Sequence, residues 1–382
     1  MKERITVIGA GPAGLSAAIV LAKNQYGVTV YEKAPDVGHR LNGEFQGLEN
    51  WSSEEDAAEF LGDLDLDLNF LCKPYRGGVV FAAESTPAWV WSDRPIFYLI
   101  RRGAMAGALD AGLKEQALSL GVDIRFNQRI DVGAICGKAV VAAGPRGFKE
   151  VAAGATFETD MEDGAAVILD DGIAPKGYAY LLVSEGRGTM AAVLYREYGR
   201  VNGCFGKTVK FFRDSLGMTM RNEKRFGSYG DFSIGDSQIR GGKLYVGGAA
   251  GFQDCLRGFG MRYAILSGYL AARSIIDGSD YDELWRKDLK PMIETSLVNR
   301  YLFERCGNTG YRFLAGKLAG SRPREFLMRL HGHYFLKRLL LPLARREYEG
   351  RKDGRRAARS SLRLGGRRNS RRVHSLPGGR DV

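Results

Sequence analysis

The start of the chain carries a strand–turn–helix–strand pattern that restricts this region to one type of fold. Residues 5–8 (ITVI) form an apolar, β-branched run typical of a buried strand. The next six residues have the spacing G-x-G-x-x-G, with glycines at Gly9, Gly11 and Gly14. The first glycine permits a tight turn, the second lets the backbone approach a pyrophosphate, and the third lets the next helix pack closely. The pattern predicts a dinucleotide whose phosphates lie at a helix N-terminus that includes Pro12 and Ala13.

An acidic residue follows at the distance that this interpretation requires. A second apolar strand, residues 28–31 (VTVY), ends directly before Glu32, about 20 residues beyond the glycines. A carboxylate in this position binds a ribose hydroxyl. The glycine spacing alone is a weak signal, but its place between a strand and a helix, followed by Glu32, predicts dinucleotide binding.

Composition favours a soluble protein. Hydrophobic residues make up 45% of the 382 residues and charged residues 26%. No apolar run reaches the roughly 18 residues of a membrane-spanning helix, so we expect a cytoplasmic protein. The five cysteines are scattered without a C-x-x-C spacing, which argues against disulfides, zinc and iron–sulfur clusters. His331 and His333 are the one candidate metal pair, and packed or solvated histidines are the favoured interpretation, so no metal is expected.

Positive charge is concentrated at the C-terminus. From Arg351 to Val382 there are eleven Arg or Lys and two Asp, so this stretch carries +9 of the net charge of +12. With few apolar residues to bury, the basic tail (residues 349–382) is predicted to be disordered. It either is simply solvated or is attracted to an anionic surface. The stretch from Arg351 contains no aromatic residue for base stacking, so nucleic acid is not an expected partner.

Secondary-structure patterns predict an α/β protein with a discontinuous Rossmann-like domain. The sequence of strand, glycine loop and helix at the N-terminus returns in residues 243–278, and a segment rich in β-strand patterns lies between them. A helix is predicted over residues 101–121. The expected domains are a nucleotide-binding domain (1–75, 98–150 and 236–280), an inserted β-rich substrate domain (76–97 and 151–235), a helical C-terminal region (281–348) and the basic tail.

Several separated motifs resemble the FAD-dependent oxidoreductases of the para-hydroxybenzoate hydroxylase type, most specifically the geranylgeranyl reductase branch. The resemblance covers about residues 1–280. Besides the glycine loop and Glu32, it rests on GHRLNGE (38–44), YLIRRG (98–103), VVAAGP (140–145), APKGYAYLL (174–182) and LYVGGAAGFQDCLRGFG (244–260). The resemblance implies that the dinucleotide is FAD. Lys33 and Arg40 are further cofactor-binding candidates.

The resemblance also implies roles for single residues. An arginine ahead of the first long helix lies along the FAD phosphates and ribityl chain in this family, and Arg102 is the best match, with Arg101 as the alternative. Gly258 and Gly260 would bring backbone N–H groups close to the flavin pyrimidine ring, where reduced flavin carries negative charge. Tyr178 and Tyr180 resemble the aromatic strand that lies over the flavin and are the candidate substrate contacts.

Two positions depart from the family pattern. Gly248 stands where relatives usually have the Asp of Gly-Asp-Ala, which bonds a ribityl hydroxyl. Asn42 stands where many prenyl reductases have a Cys before Gly-Glu. The first departure puts FAD affinity in question, and the second questions any mechanism that needs a thiol.

The resemblance implies reduction of C=C bonds in an isoprenoid or other lipid substrate by hydride transfer from reduced flavin. NAD(P)H or ferredoxin would be the electron donor. The alternatives are a flavin-dependent monooxygenase or halogenase and a non-catalytic lipid- or prenyl-binding protein. W-x-W-x-I-P, the halogenase motif, is incomplete in WVWSDRP (89–95). No catalytic acid is identified. Aromatic residues that are candidates to line an apolar substrate slot are Trp51, Trp89, Trp91, Tyr178 and Tyr180.

The segment FLMRLHGHYFLKRLLLPLARR (326–346) combines apolar and basic residues directly before the basic tail. It is predicted either to pack on the core or to attach the protein peripherally to an anionic membrane surface. Pro342 is expected to limit the length of a helix here.

Overall fold

The computed structural model describes residues 3–320, 322–332 and 334–349, and in this part of the chain the strands form three sheets. The strands are β1 (Arg4–Ile8), β2 (Gly27–Tyr31), β3 (Asn42–Glu49), β4 (Cys72–Tyr75), β5 (Gly77–Ala82), β6 (Ala88–Trp91), β7 (Phe97–Gly103), β8 (Asp123–Arg125), β9 (Ala139–Val141), β10 (Glu150–Glu158), β11 (Gly164–Leu169), β12 (Tyr178–Ser184), β13 (Arg187–Leu194), β14 (Arg221–Gly230), β15 (Ile239–Arg240) and β16 (Lys243–Tyr245). The helices are α1 (Pro12–Lys23), α2 (Ala57–Asp63), α3 (Leu109–Ser119), α4 (Val201–Leu216), α5 (Met261–Asp277), α6 (Tyr281–Asp288), α7 (Lys290–Leu318), α8 (Pro323–His331) and α9 (Phe335–Glu349).

The first sheet has the order β15-β16-β9-β1-β2-β8, and its neighbours pair in parallel except for β15 with β16. Its strands are buried and rich in valine and isoleucine, as parallel strands covered by helices are. Helix α1 packs between α3 and α5. A Cβ atom on Gly268 of α5 would lie 2.1 Å from the Ala13 carbonyl oxygen, so only glycine allows this close crossing. The predicted Rossmann-like fold is confirmed.

The second sheet joins two separate parts of the chain in the order β14-β10-β13-β12-β11-β5-β6. Its pairs are antiparallel except for β11 with β5. Helix α4 covers one face of this sheet with Phe205 and Phe212, both fully buried. The predicted β-rich insert is therefore one sheet, while the domain boundaries stay a prediction.

The third sheet, β3-β7-β4, corrects one prediction. The helix expected from residue 101 begins only at Leu109, and Arg101 and Arg102 belong to β7. The backbone reverses between strand and helix at Gly103 (φ 128°) and Gly107 (φ 74°), a conformation that glycine adopts without strain. Pairing of β7 with β3 and β4 thus overrides the local helix-forming composition.

The C-terminal helices pack on the two larger sheets. Helix α7 is interrupted at Gly307 (φ 55°) and contacts β5 and β6. Helix α9 continues through Pro342, so the expectation that this proline limits the helix is wrong. Pro342 and Arg338 are exposed, and water can therefore replace the donor that the Arg338 carbonyl loses. No described helix is both long and apolar enough to cross a bilayer. Beyond position 349 the basic tail lies outside the described residues.

Candidate functional site

A cavity of about 1180 Å³ extends between the parallel sheet, the insert sheet and helices α7 and α8. Its lining falls into two groups. The first group is rich in glycine and polar residues and includes the carboxyl ends of β1 and β2 with the loops that follow them. The second group is apolar and comes mainly from β5, β6, α7 and α8; it includes Val80, Val90, Phe303, Leu314, Leu318, Phe326 and Leu327.

The three glycines of the first turn differ in the space around them, as their predicted roles require. A Cβ atom on Gly9 (φ 100°) would lie 2.3 Å from the Ala142 carbonyl oxygen, and one on Gly14 would lie 2.0 Å from the Gly9 oxygen. Neither position has room for a side chain. A Cβ atom on Gly11 would meet nothing within 4 Å, so the open space at the start of α1 faces the cavity. Anionic phosphate fits there, because the helix N-terminus has free N–H groups and a favourable dipole.

Glu32 is held directly beside this turn. The Ala10 amide donates to Glu32 Oε2 (2.9 Å), and the Ala34 amide donates to Oε1 (2.8 Å). A carboxylate oxygen accepts more than one hydrogen bond, so both oxygens can still accept from a ribose hydroxyl. Lys33 and Arg40 are exposed at the same cavity wall, where Arg40 Nη1 lies 3.4 Å from the Tyr229 hydroxyl.

Arg102 lines the cavity as a cation that is mostly buried, with 13% of its side chain exposed, and each of its three guanidinium nitrogens donates a hydrogen bond. Its Nε and Nη2 atoms donate to the two oxygens of Asp110 (2.9 Å each), and Nη1 donates to Gln46 Oε1 (2.9 Å). Burial alone raises the pKa of Asp110, but the Arg102 guanidinium outweighs it and lowers that pKa below its usual value. Arg101, the alternative, is not among the cavity-lining residues. The cavity therefore favours Arg102 for the predicted contact.

The glycine loop between β16 and α5 also lines the cavity. At Gly258 (φ 75°) a Cβ atom would lie 2.3 Å from Glu150 Oε2, so the backbone passes directly over this carboxylate. Gly260 (φ −128°) precedes α5, and a Cβ atom there would lie in ordinary contact, 3.9 Å from Gln253 Cγ. At Gly248 a Cβ atom would lie 3.0 Å from the backbone nitrogen and Cδ of Pro145. An Asp at 248 would have to move Pro145, which gives a steric reason for the departure from Gly-Asp-Ala.

The predicted aromatic residues divide into two sets. Tyr178 and Tyr180 lie side by side on β12 at the cavity wall, with ring centroids 6.2 Å apart. Trp51 also lines the cavity and packs edge-on against Phe259 (5.4 Å).

The two remaining tryptophans were wrongly predicted to line a slot. The side chains of Trp89 and Trp91 are 73% and 67% exposed and lie outside the cavity. They alternate with buried Val90 on β6, the edge strand of the insert sheet, and point to the side that the described residues leave exposed.

Sequence reasoning missed Glu150 and Gln253. Both line the cavity, and Gln253 Nε2 donates to Glu150 Oε2 (3.0 Å) and to the Gly258 carbonyl oxygen (3.1 Å). The only signal in the sequence was a charged residue at the start of the small apolar strand EVAAGATF.

Among the described residues, no three His, Cys, Asp or Glu side chains lie close enough together to hold a metal ion. His331 is the last residue of α8, and its Nδ1 lies 2.8 Å from the Leu327 carbonyl oxygen. Burial and the nearby Arg257 lower the pKa of His331 to about 3, so it is neutral near pH 7. His333 lies outside the described residues.

Three sequence comparisons agree with the nucleotide site. Residues 7–47 match the family of NAD(P)-binding Rossmann-like domains. The chain is 56% identical over 41 residues to the oxidoreductase AegA of Escherichia coli (strain K12), and 29% identical over 128 residues to a Salmonella typhi homologue of the NAD-dependent dihydropyrimidine dehydrogenase subunit PreT. These matches cover 11% and 34% of this chain and 6% and 29% of the relatives, so the chain spans less than a third of the length of either.

Solved structures share the whole fold. A geranylgeranyl bacteriochlorophyll reductase-like protein from Thermoplasma acidophilum superposes with a TM-score of 0.65 at 16% identity, over 91% of this chain and 96% of that one. The flavin-dependent brominase Bmp2 superposes with a TM-score of 0.61 at 16% identity, over 91% and 99%. The predicted fold of FAD-dependent oxidoreductases is confirmed, and the open turn at Gly11 together with the fixed Glu32 carboxylate fits FAD.

Proposed function

We propose that this protein is an FAD-dependent oxidoreductase that reduces C=C bonds of an isoprenoid or another lipid substrate. The observation that supports it is that one continuous cavity of the described residues joins the dinucleotide cradle, formed by the turn of residues 9–14 and Glu32, to the apolar pocket. The side chains of Val80, Val90, Phe303 and Leu318 form apolar walls that suit an alkyl or prenyl chain.

The residues of this chain have defined tasks in the reaction. Bound FAD supplies a hydride in its reduced form. Gly11 and the start of α1 hold the phosphates, Glu32 holds the ribose, and Arg102 lies beside them as a fixed positive charge. Apolar side chains of α7 and α8 exclude water from the double bond and thereby protect the hydride from solvent.

A monooxygenase or halogenase is the second candidate, because the same fold occurs in the brominase. Against it, Asp93 and Arg94 stand where the halogenase motif has Ile and Pro, and the two tryptophans before them lie outside the cavity. A non-catalytic lipid-binding protein is the third candidate, and its support is glycine in place of Asp at 248.

The test is a re-oxidation experiment. Protein loaded with FAD is reduced anaerobically with dithionite, then mixed with a polyprenyl lipid or with oxygen, and flavin absorbance and lipid mass are followed. We expect the lipid to re-oxidise the flavin faster than oxygen does and to gain two hydrogens per double bond. Rapid reaction with oxygen and a hydroxylated or halogenated product would support the second candidate. Protein that takes up no FAD would support the third.

We further propose that α9 attaches the protein to an anionic membrane surface, from which the lipid is taken. Helix α9 packs on the core through Ala344 and Tyr348, which are 0% and 1% exposed. An apolar stripe (Phe335, Leu336, Leu339 and Leu343) is 52–73% exposed, and the spacing places these four residues within an arc of about 100°. Exposed Arg338 and Arg346 are on the same helix, and the basic tail follows.

Co-sedimentation with vesicles tests the attachment. Binding to anionic vesicles is expected to fall with salt, with truncation after Gly350 and with Leu336→Glu, because each basic residue near such a surface contributes about 1 kcal/mol and the stripe is buried on binding. Leu118→Glu, at an exposed leucine of α3 (50%, against 72% for Leu336), is the control. Equal binding of all variants, or no binding of the full chain, would contradict the proposal.

A further inference from the structure

We infer that Glu150 is the acid that delivers the proton to the double bond, an inference that rests on the proposed C=C reduction. Its carboxyl group lies on the cavity wall at the first residue of β10. The glycine loop passes over it at Gly258, and Gln253 of the same loop bonds it. Glu150 thus stands between the loop that is expected to contact the flavin and the wall that carries Tyr178.

Two glycines make the space for this carboxyl group and its amide partner. A Cβ atom on Gly258 would lie 2.3 Å from Glu150 Oε2, and one on Gly230 would lie 2.6 Å from Gln253 Nε2. Gly230 is the residue of β14 that pairs with Glu150. A side chain at Gly258 would displace the Glu150 carboxyl group, and one at Gly230 would displace the Gln253 amide. The two glycines therefore leave room for the hydrogen bond between Glu150 and Gln253.

The surroundings keep a proton on Glu150 close to neutral pH. Burial is the largest cause and raises the pKa of Glu150 to about 7, although a hydrogen bond with Tyr195 and the positive charge of Arg300 oppose it. General acids work best with a pKa near the working pH, where they are protonated and still release the proton. The titratable and charged groups that interact with Glu150 are Tyr178, Tyr180, Tyr195, Asp254, Cys255 and Arg300.

A second buried carboxylate in the cavity is less suited to this task. Glu44 also lines it, and burial raises its pKa. However, the Asn42 amide donates to Glu44 Oε2 (2.6 Å), and the nearby charge of Arg102 favours the ionised form. At Glu150 the groups that favour the ionised form are Tyr195 and Arg300, and burial still outweighs them and raises the pKa to about 7.

Reduction of the double bond requires one proton and one hydride. The π bond of the substrate breaks, and two C–H bonds form in its place. One carbon receives the proton from the Glu150 carboxyl group, and the more substituted carbon receives the hydride with both its electrons from the reduced flavin. Glu150 becomes a carboxylate that solvent reprotonates, and the flavin, reduced beforehand by dithionite or a cellular electron donor, is oxidised by two electrons.

The experiment uses FAD-loaded full-length protein and separates proton delivery from hydride supply. Rates of flavin re-oxidation by a polyprenyl lipid are measured anaerobically across pH for wild type, Glu150→Gln, Glu150→Asp and Glu158→Gln. Glu158 is the matched control, since it lies at the other, exposed end of β10. We expect Glu150→Gln to slow re-oxidation about 10²- to 10⁴-fold and to remove the ionisation near pH 7. Glu150→Asp should restore part of the rate with a shifted pH profile, and Glu158→Gln should match wild type.

Infrared difference spectra give a readout that does not depend on turnover. The carbonyl band of protonated carboxyl groups that titrates near pH 7 in FAD-loaded wild type should lose the Glu150 contribution in Glu150→Gln, while the contribution of Glu49, whose pKa burial also raises to about 7, should stay. If wild type reduces the lipid while Glu150→Gln keeps its rate and pH profile, the inference is overturned and the proposed function stands. The same follows if Glu44→Gln, instead of Glu150→Gln, removes the ionisation. If wild type reduces no lipid, both are overturned.

Discussion

Tyr178 donates its hydroxyl proton to the backbone carbonyl of Arg257 and so ties strand β12 of the insert sheet to the glycine loop ahead of α5. Burial raises the pKa of Tyr178 well above its usual value, which keeps the hydroxyl a donor at every physiological pH. Both residues line the cavity. This hydrogen bond therefore fixes the position of β12, which carries Tyr178 and Tyr180, relative to the loop that is expected to contact the flavin.

Removing the Tyr178 hydroxyl should lower stability and slow the reaction with lipid, but it should not reduce FAD binding. Tyr178→Phe is expected to lower the free energy of unfolding by about 1 kcal/mol, the net contribution of one hydrogen bond, and to slow lipid-dependent re-oxidation. FAD content should stay that of wild type, because the phosphate and ribose contacts are elsewhere. Urea unfolding and stopped-flow absorbance measure the two effects. Tyr180→Phe, on the same strand, leaves the tie to Arg257 in place; an equal loss in both variants would contradict this role.

The open space at Gly11 predicts a variant that folds but does not bind FAD. Gly11→Val should leave the stability of the apoprotein within about 1 kcal/mol, since φ is −81° and a Cβ atom there meets nothing. The added branch would occupy the space for the pyrophosphate and weaken FAD binding about 10- to 100-fold or more. Fluorescence titration with FAD and thermal unfolding of the apoprotein give the two values.

The neighbouring glycine provides the contrast. Gly14→Ala places a Cβ atom 2.0 Å from the Gly9 carbonyl oxygen, so α1 must move away from β1. We expect this variant to lose about 1–3 kcal/mol of stability even without FAD. Comparable apoprotein stability of the Gly11 and Gly14 variants would show that the two glycines do not have the separate roles assigned to them.

The Arg102–Asp110 pair should be far more important for stability than a surface pair of the same geometry. Asp110→Asn leaves the buried guanidinium without its counter-charge and is expected to cost about 3–5 kcal/mol in urea unfolding. Arg221 and Asp160 form a similar ion pair with two hydrogen bonds, but both side chains are exposed to solvent. Asp160→Asn should therefore change the free energy of unfolding little. A large loss in the second variant would mean that burial is not the deciding difference.

Glu49 makes stability depend on pH. It is 3% exposed, neither carboxylate oxygen has a hydrogen-bond partner among the described residues, and burial raises its pKa from 4.5 to about 7, although Arg262 opposes this. Below its ordinary pKa the group is protonated in both the folded and the unfolded state. Between 4.5 and 7 only the folded state keeps the proton, so stability falls as pH rises through this range and then levels off.

Glu49→Gln should therefore flatten the pH dependence. Relative to this variant, wild-type apoprotein is expected to lose up to about 3 kcal/mol of unfolding free energy between about pH 4.5 and pH 8, measured by urea titration at each pH. Glu115→Gln, at an exposed position of α3, is the control and should follow wild type. A parallel curve for Glu49→Gln and wild type would place the titrating group elsewhere.

The limits of local sequence patterns are clear at particular residues. The segment Arg101 to Ala108 consists largely of residues that a helix tolerates, yet Arg101 and Arg102 complete β7 because β3 and β4 pair with it. Trp89 and Trp91 share one face of β6 because side chains alternate along a strand with a period of two residues. Which of the two faces becomes covered depends on neighbours far away in the chain, so the strand pattern alone does not decide whether these tryptophans line the cavity.

Glu150 shows the same limit at the candidate site. Nothing within a few residues distinguishes it from other acidic residues at strand ends. Its importance arises from Gly230, Gln253 and Gly258, which are 80 to 108 positions away and reach it only when β10 pairs with β14 and the loop closes over the sheet. Burial by these partners, and not the residue type, changes its proton affinity.

The dinucleotide cradle could be predicted from about thirty consecutive residues, because its turn, its helix N-terminus and its acidic residue are set by backbone geometry and by short distances along the chain. Its fold and fit to FAD agree with that prediction. The apolar pocket, the position of Tyr178 at the cavity wall and the raised pKa of Glu150 depend on contacts between β5, β10, β12, α7 and the loop before α5. These contacts join segments from residue 77 to residue 318, and burial, which determines both the apolar walls and the proton affinity, exists only after those segments have packed.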